Sequence, residues 1–203
     1  AALAFTEGRS HALVVGLGGG TVPGLLHRCL PHLVVDVVEL NPAVVEVARR
    51  FFGLREDERL RITVEDAARF MRQEGPCHYD FILLDAFSDG GTPRHLKEPP
   101  FLEDVRRRLA PGGVAVINIA LESSERKARL LETFASVFES CARLRGPSES
   151  ANLIAVGTSG PLPAEPVFRH QLWRLARELG FPDVATSVGG FVPVPGGRAA
   201  RGR

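Results

Sequence analysis

Short, continuous apolar runs alternate along the chain with longer segments whose apolar residues recur at helical spacing. "HALVVG" (His11–Gly16) is apolar after its first residue and closed by glycine, the pattern of a strand covered on both faces. "LVVDVVEL" (Leu33–Leu40), "RLRITVED" (Arg59–Asp66), "YDFILLDAF" (Tyr79–Phe87), "VAVINIA" (Val114–Ala120) and "SANLIAVGTS" (Ser150–Ser159) read as further strands. Between them lie helical stretches. "TVPGLLHRCL" follows the first strand, and "NPAVVEVARRFFG" has Asn41 as N-cap, Pro42 at the first helical position and Gly53 just past the end. "DAARFMRQEG" is a short helix, "PPFLEDVRRRLAPGG" one closed by a Pro-Gly-Gly turn, and "SSERKARLLETFASVF" one capped by Ser123 or Ser124. The last helix spans Glu165–Leu179 and stops at Gly180. Trp173 falls at core spacing within it and reads as packing.

Regular β-α alternation predicts an α/β fold: a doubly wound, mostly parallel, Rossmann-like sheet flanked by helices. Residues 11–180 are expected to form this domain. Residues 1–10 read as a leader or the remnant of a preceding segment, and 181–203 as a C-terminal strand or loop with a flexible basic tail carrying Arg198, Arg201 and Arg203. A length of 203 residues suits one such domain.

Composition narrows the function classes. The net charge of +1 provides no overall field that would select nucleic acid or a membrane surface. Apolar runs stay short of the ~18 residues that span a bilayer. The three cysteines, Cys29, Cys77 and Cys141, are far apart and lack metal-ligand spacing, which points to a reduced, cytoplasmic chain with neither a disulfide framework nor a metal site.

In open parallel sheets, ligands bind beyond the carboxyl ends of the strands. The first strand delivers Gly16, Gly18, Gly19 and Gly20 there. The second delivers Glu39, the third Asp66, and the fourth Asp85 followed by Asp89 in the polar loop "SDGGTPRHLKEPP". Glycines let backbone N–H groups approach a ligand closely at a helix start. An acid roughly 20 residues further on suits the two hydroxyls of a ribose. Asp66 is placed either to accept from a purine amine or to cap the helix that begins at Ala67. Asp85 ends an apolar run, where a carboxylate needs a partner or a cleft. His95 in the polar loop reads as an exposed side chain rather than a base.

Taken together, "VVGLGGGT", "VVELNPAVVEVARRFF", "VEDAARF" and "YDFILLDAF" resemble the class I S-adenosylmethionine-dependent transferases. They are most similar to the branch holding spermidine synthase and the spermidine-synthase-like methyltransferases. The resemblance covers about Ser10 to Thr158. It implies that Gly16, Gly18 and Gly20 line the methionine part of the cofactor, that Glu39 holds the ribose hydroxyls and Asp66 with Ala67 the adenine, and that Gly19 and Leu40 are cofactor-binding as well. Asp85 is then beside the sulfonium, and Asp85 and Asp89 are the catalytic candidates. Aminopropyltransferases of this branch carry an acid inside the glycine loop and a "D-S-S-D-P"-like segment. This chain has Gly19 near the first place and "DAFSDGG" at the second. Methyl transfer from S-adenosylmethionine to an amine-bearing small molecule or protein is therefore expected. The alternatives are aminopropyl transfer from decarboxylated S-adenosylmethionine and a non-catalytic nucleoside-binding module. Homodimers occur in the branch, so the resemblance allows one here.

Overall fold

Strands buried on both faces need a layer of helices on each side, and that is the arrangement found. The computed structural model describes residues 1–6, 9–73, 78–88, 91–120, 123–146 and 152–196. Its strands are β1 (His11–Val15), β2 (Val34–Glu39), β3 (Leu60–Val64), β4 (Tyr79–Leu84), β5 (Leu109–Ile119), β6 (Ser140–Leu144), β7 (Leu153–Thr158) and β8 (Phe191–Pro193). They form a single sheet in the order β3-β2-β1-β4-β5-β7-β6-β8. The pairings from β3 across to β5 are parallel, and those from β5 to β8 are antiparallel.

Along β1, Ala12 and Val14 enter one core while Leu13 and Val15 enter the other, all of them buried. The first core takes Leu26 of α1 (Thr21–Cys29), Val45 of α2 (Pro42–Phe51) and Phe168 of α6 (Glu165–Glu178). The second takes Met71 of α3 (Ala67–Arg72), Leu102 of α4 (Pro99–Arg107) and Phe134 of α5 (Ser124–Val137). The chain is thus doubly wound, as the alternation of apolar runs predicts. Among the described residues, no helix is long and apolar enough to cross a membrane.

Local signals act as expected at most helix ends. Asn41 accepts from the Ala43 N–H, Ser123 caps α5, and Gly53 and Gly180 follow α2 and α6 with left-handed backbones. The Pro-Gly-Gly segment differs. The helix stops at Arg107, and Leu109 already pairs with Tyr79 before a register shift that resumes at Phe81 and Val114. A β-carbon on Gly113 would lie 2.7 Å from the Tyr79 carbonyl oxygen, so only glycine lets this irregular stretch press against β4.

Both ends of the described chain pack onto the fold. Ala2–Phe5 is a buried 3-10 turn, with the Phe5 ring 4.7 Å from that of Phe168 and 5.1 Å from that of Phe191. A short helix α7 (Asp183–Ser187) precedes β8. Trp173 is not packing: it is 46% exposed on the outer face of α6. The basic tail with Arg198, Arg201 and Arg203 lies outside the described residues.

Candidate functional site

The carboxyl ends of β1, β2, β3 and β4 open onto one cavity of about 400 Å³. Its walls include Gly16 and Gly18 from the first loop, Glu39 and Leu40 from the second, Asp66 and Ala67 from the third, and Asp85 from the fourth. Most of the expected site residues therefore converge.

Gly16 is fixed by geometry. Its φ is +96°, and a β-carbon there would stand 2.5 Å from the Asp85 carbonyl oxygen. Its N–H donates to Val38 O at 2.8 Å, while Asp85 N–H donates to Val15 O at 2.9 Å. The loop is thus sewn to the strands on both sides of β1. Gly18 has φ +53° and open space where a side chain would be.

Gly19 and Gly20 do not line the cavity. Gly19 sits under the Phe52 ring, 3.2 Å from where its β-carbon would be, and Gly20, the N-cap of α1, sits against Leu54 at 3.0 Å. Both glycines make room for the chain that follows α2, a packing demand that the loop's own sequence does not reveal. Of the four glycines expected to border a ligand, Gly16 and Gly18 are in the cavity wall.

Glu39 is held from two sides. Its Oε2 accepts from Leu17 N–H and its Oε1 from Asn41 N–H, both at 2.9 Å. A carboxylate offers about four acceptor sites, so two remain for ligand hydroxyls. Asp66 does cap α3, accepting from Arg69 N–H at 2.9 Å through Oδ1. Its Oδ2 lies 3.0 Å from His95 Nε2. Cap and cavity wall are therefore one residue, and His95, read from sequence as simply exposed, bridges from the loop across to it. Pro93 and Leu96 join His95 in the wall, around the 3-10 turn Arg94–Leu96.

Asp85 is half-buried, and burial pushes its carboxyl above the ordinary range. The Nδ2–H of Asn118, on β5, donates to Asp85 Oδ1 at 2.8 Å and opposes that rise. Asn118 was not a sequence candidate, because a lone amide inside "VAVINIA" resembles an ordinary polar position. Asp89 lies outside the described residues.

Among the described residues, the wall carries four carboxylates, Glu39, Glu65, Asp66 and Asp85, and neither lysine nor arginine. Arg69 reaches Glu65 at 3.0 Å from the exposed side. Such a cleft concentrates cations. Leu40 is 64% exposed and presents an apolar surface at its rim, where an aromatic ring would bury it. The residues present fit a cationic nucleoside: acceptors for hydroxyls, bare backbone at Gly16 and Gly18, and apolar faces at Leu40 and Ala67.

The profile of the spermine/spermidine synthase domain family matches residues 1–142. A polyamine aminopropyltransferase of Vibrio vulnificus is 33% identical over 181 residues, covering 88% of this chain and 60% of that protein. An eEF1A lysine and N-terminal methyltransferase of Bos taurus is 32% identical over 136 residues, covering 62% of this chain and 20% of that protein. The crystal structure of human methyltransferase-like protein 13 in complex with SAH superposes with a TM-score of 0.78 at 29% identity, covering 89% of each chain. The chain thus spans less than two thirds of the length of these two curated relatives.

Proposed function

The chain belongs to the spermine/spermidine synthase domain family, and from that premise we propose that it transfers the methyl group of S-adenosylmethionine to an amine. The observation that carries this reading is the glycine loop. From Gly16 to Gly20 it holds no carboxylate; the N–H groups of Gly16, Leu17 and Gly20 are engaged within the fold, and Gly18, in the cavity wall, would turn its bare backbone to an anionic amino-acid end. A decarboxylated cofactor would present an ammonium there and would need an acid instead. The likeness to the human structure crystallised with SAH supports the same choice.

When bound, the cofactor supplies a sulfonium methyl already activated for transfer. Glu39 would accept from the ribose hydroxyls. Leu40 and Ala67 would cover the purine faces, with Asp66 accepting from its exocyclic amine. Gly16 and Gly18 would lie along the methionine part. Asp85 would take the proton that the acceptor nitrogen gives up as its bond to the methyl carbon forms, and Asp89 is its second candidate partner in the loop. The relative acting on eEF1A lysine and N-terminal amines favours a protein amine as acceptor, with small amines next.

Aminopropyl transfer is the second reading. It is favoured by the bacterial aminopropyltransferase, whose similarity covers 88% of this chain. The two reactions leave different nucleosides. The purified chain is incubated with S-adenosylmethionine or its decarboxylated form, together with a diamine or a protein extract. S-adenosylhomocysteine as by-product supports methyl transfer, 5′-methylthioadenosine supports aminopropyl transfer, and neither supports a non-catalytic binding module.

A further inference from the structure

Asn118 occupies an awkward place for an amide. Its neighbours along β5, Ile117 and Ile119, are fully buried. Its Oδ1 is buried and has no hydrogen-bond partner among the described residues. An unsatisfied buried carbonyl destabilises a fold, whereas an apolar side chain of similar size would suit the sheet. The stability of β5 does not account for asparagine here. What the amide does achieve is the 2.8 Å bond from Nδ2–H to Asp85 Oδ1, across to the neighbouring strand. The pairing of Leu84 with Ile117 sets the two residues level at the carboxyl edge of the sheet.

We propose that Asn118 is a positioning residue for Asp85: its amide engages one carboxylate oxygen, fixes the side chain in the cavity wall and leaves the other oxygen for a cationic ligand. This rests on the reading of the cavity as an S-adenosylmethionine site. Asn118 itself is absent from the cavity wall, so it acts through Asp85 alone. Its N–H bond is stronger to the ionised carboxyl, so it also opposes the half-buried setting that disfavours charge there.

The test separates this role from a structural one. Asn118→Val and the near-isosteric Asn118→Asp are compared with the wild-type chain by thermal unfolding, by calorimetric titration with S-adenosylmethionine and with S-adenosylhomocysteine, and by carbon NMR of the Asp85 carboxyl across pH. S-adenosylhomocysteine lacks the positive sulfur and serves as the neutral probe. Asn118→Val is expected to melt no lower than wild type. It should lose about fivefold or more in affinity for S-adenosylmethionine near pH 6, and hold S-adenosylhomocysteine within about twofold. In both variants the Asp85 carboxyl should titrate at higher pH. Equal losses for the two nucleosides, or an Asp85 titration that does not move, would overturn the assignment. If Asn118→Val does not fold, Asn118→Leu, closer to asparagine in shape and adding no charge beside Asp85, decides by the same readouts. If wild type binds neither nucleoside, the functional reading falls, and the Asp85 titration still decides the role of Asn118.

Discussion

A β-carbon on Gly16 would stand 2.5 Å from the carbonyl oxygen of Asp85. The end of β1 and the end of β4 therefore touch through bare backbone, and the cavity floor depends on it. With φ at +96° as well, Gly16→Ala meets both a clash and a strained backbone. The expected loss of stability is about 2–4 kcal/mol, measured by urea denaturation, with nucleoside binding lost by calorimetry. Gly18→Ala meets open space and should unfold within about 2 kcal/mol of wild type, the strain at its positive φ alone.

Glu39 joins the two loops by accepting from Leu17 N–H and Asn41 N–H. Glu39→Ala should therefore weaken the fold by about 1–3 kcal/mol in addition to lowering nucleoside affinity by roughly a hundredfold. Calorimetry at a temperature where the variant remains folded checks the second effect apart from the first. An unchanged Kd would remove Glu39 from the ribose.

Asp85 gives a pH-dependent expectation whose sign follows from its raised pKa. The folded state holds its proton more tightly than the unfolded chain does, so this contribution to stability is present below the ordinary value of 3.8 and lost as pH rises through the raised one. Asp85→Asn should accordingly raise the Tm at neutral pH, by an amount worth no more than about 1 kcal/mol given its partial exposure. That gain should vanish as pH falls through the same window. Turnover should drop strongly while nucleoside affinity stays within about tenfold. Calorimetric scans at several pH values and steady-state assays check the two halves.

His95 and Asp66 make a partly exposed pair, with side chains 50% and 37% exposed. Exposed pairs are worth about 0–1 kcal/mol. His95→Ala should thus speed nucleoside release by no more than about fivefold, seen by stopped-flow displacement, and leave the unfolding midpoint unchanged. A larger effect would mean that His95 touches the ligand itself.

Asp80 lies at the opposite edge of the sheet. Its Oδ2 accepts from Ser10 N–H at 2.8 Å and from His11 N–H at 3.0 Å, fastening the start of β1. Asp80→Ala should destabilise the chain by about 1–3 kcal/mol and leave nucleoside affinity intact. This is the reverse of the pattern expected at Asp85.

The central strands β1, β4 and β5 are legible in the sequence because each is covered twice and carries a continuous apolar run, whereas β3 at the edge buries only Leu60. The antiparallel half is less legible. "SCARL" mixes a serine and an arginine into a five-residue strand, and β8 is three residues ending in proline at the sheet edge. At the site, Gly16, Gly18, Glu39, Leu40, Asp66, Ala67 and Asp85 are readable because position along a parallel strand fixes position at its edge. The role of Gly19 and Gly20 is not, since Phe52 and Leu54 reach them from beyond another helix. The Asn118 bond is hidden for the same reason: nothing local in β5 records which side chain stands at the end of β4.

Phe5, Phe168 and Phe191 meet ring to ring, with centroid separations of 4.7, 5.1 and 5.1 Å. Through them the opening turn and the closing strand of the described chain become neighbours, far along the sequence but side by side in space. Each ring touches the other two, so removing any one of them would loosen both segments together.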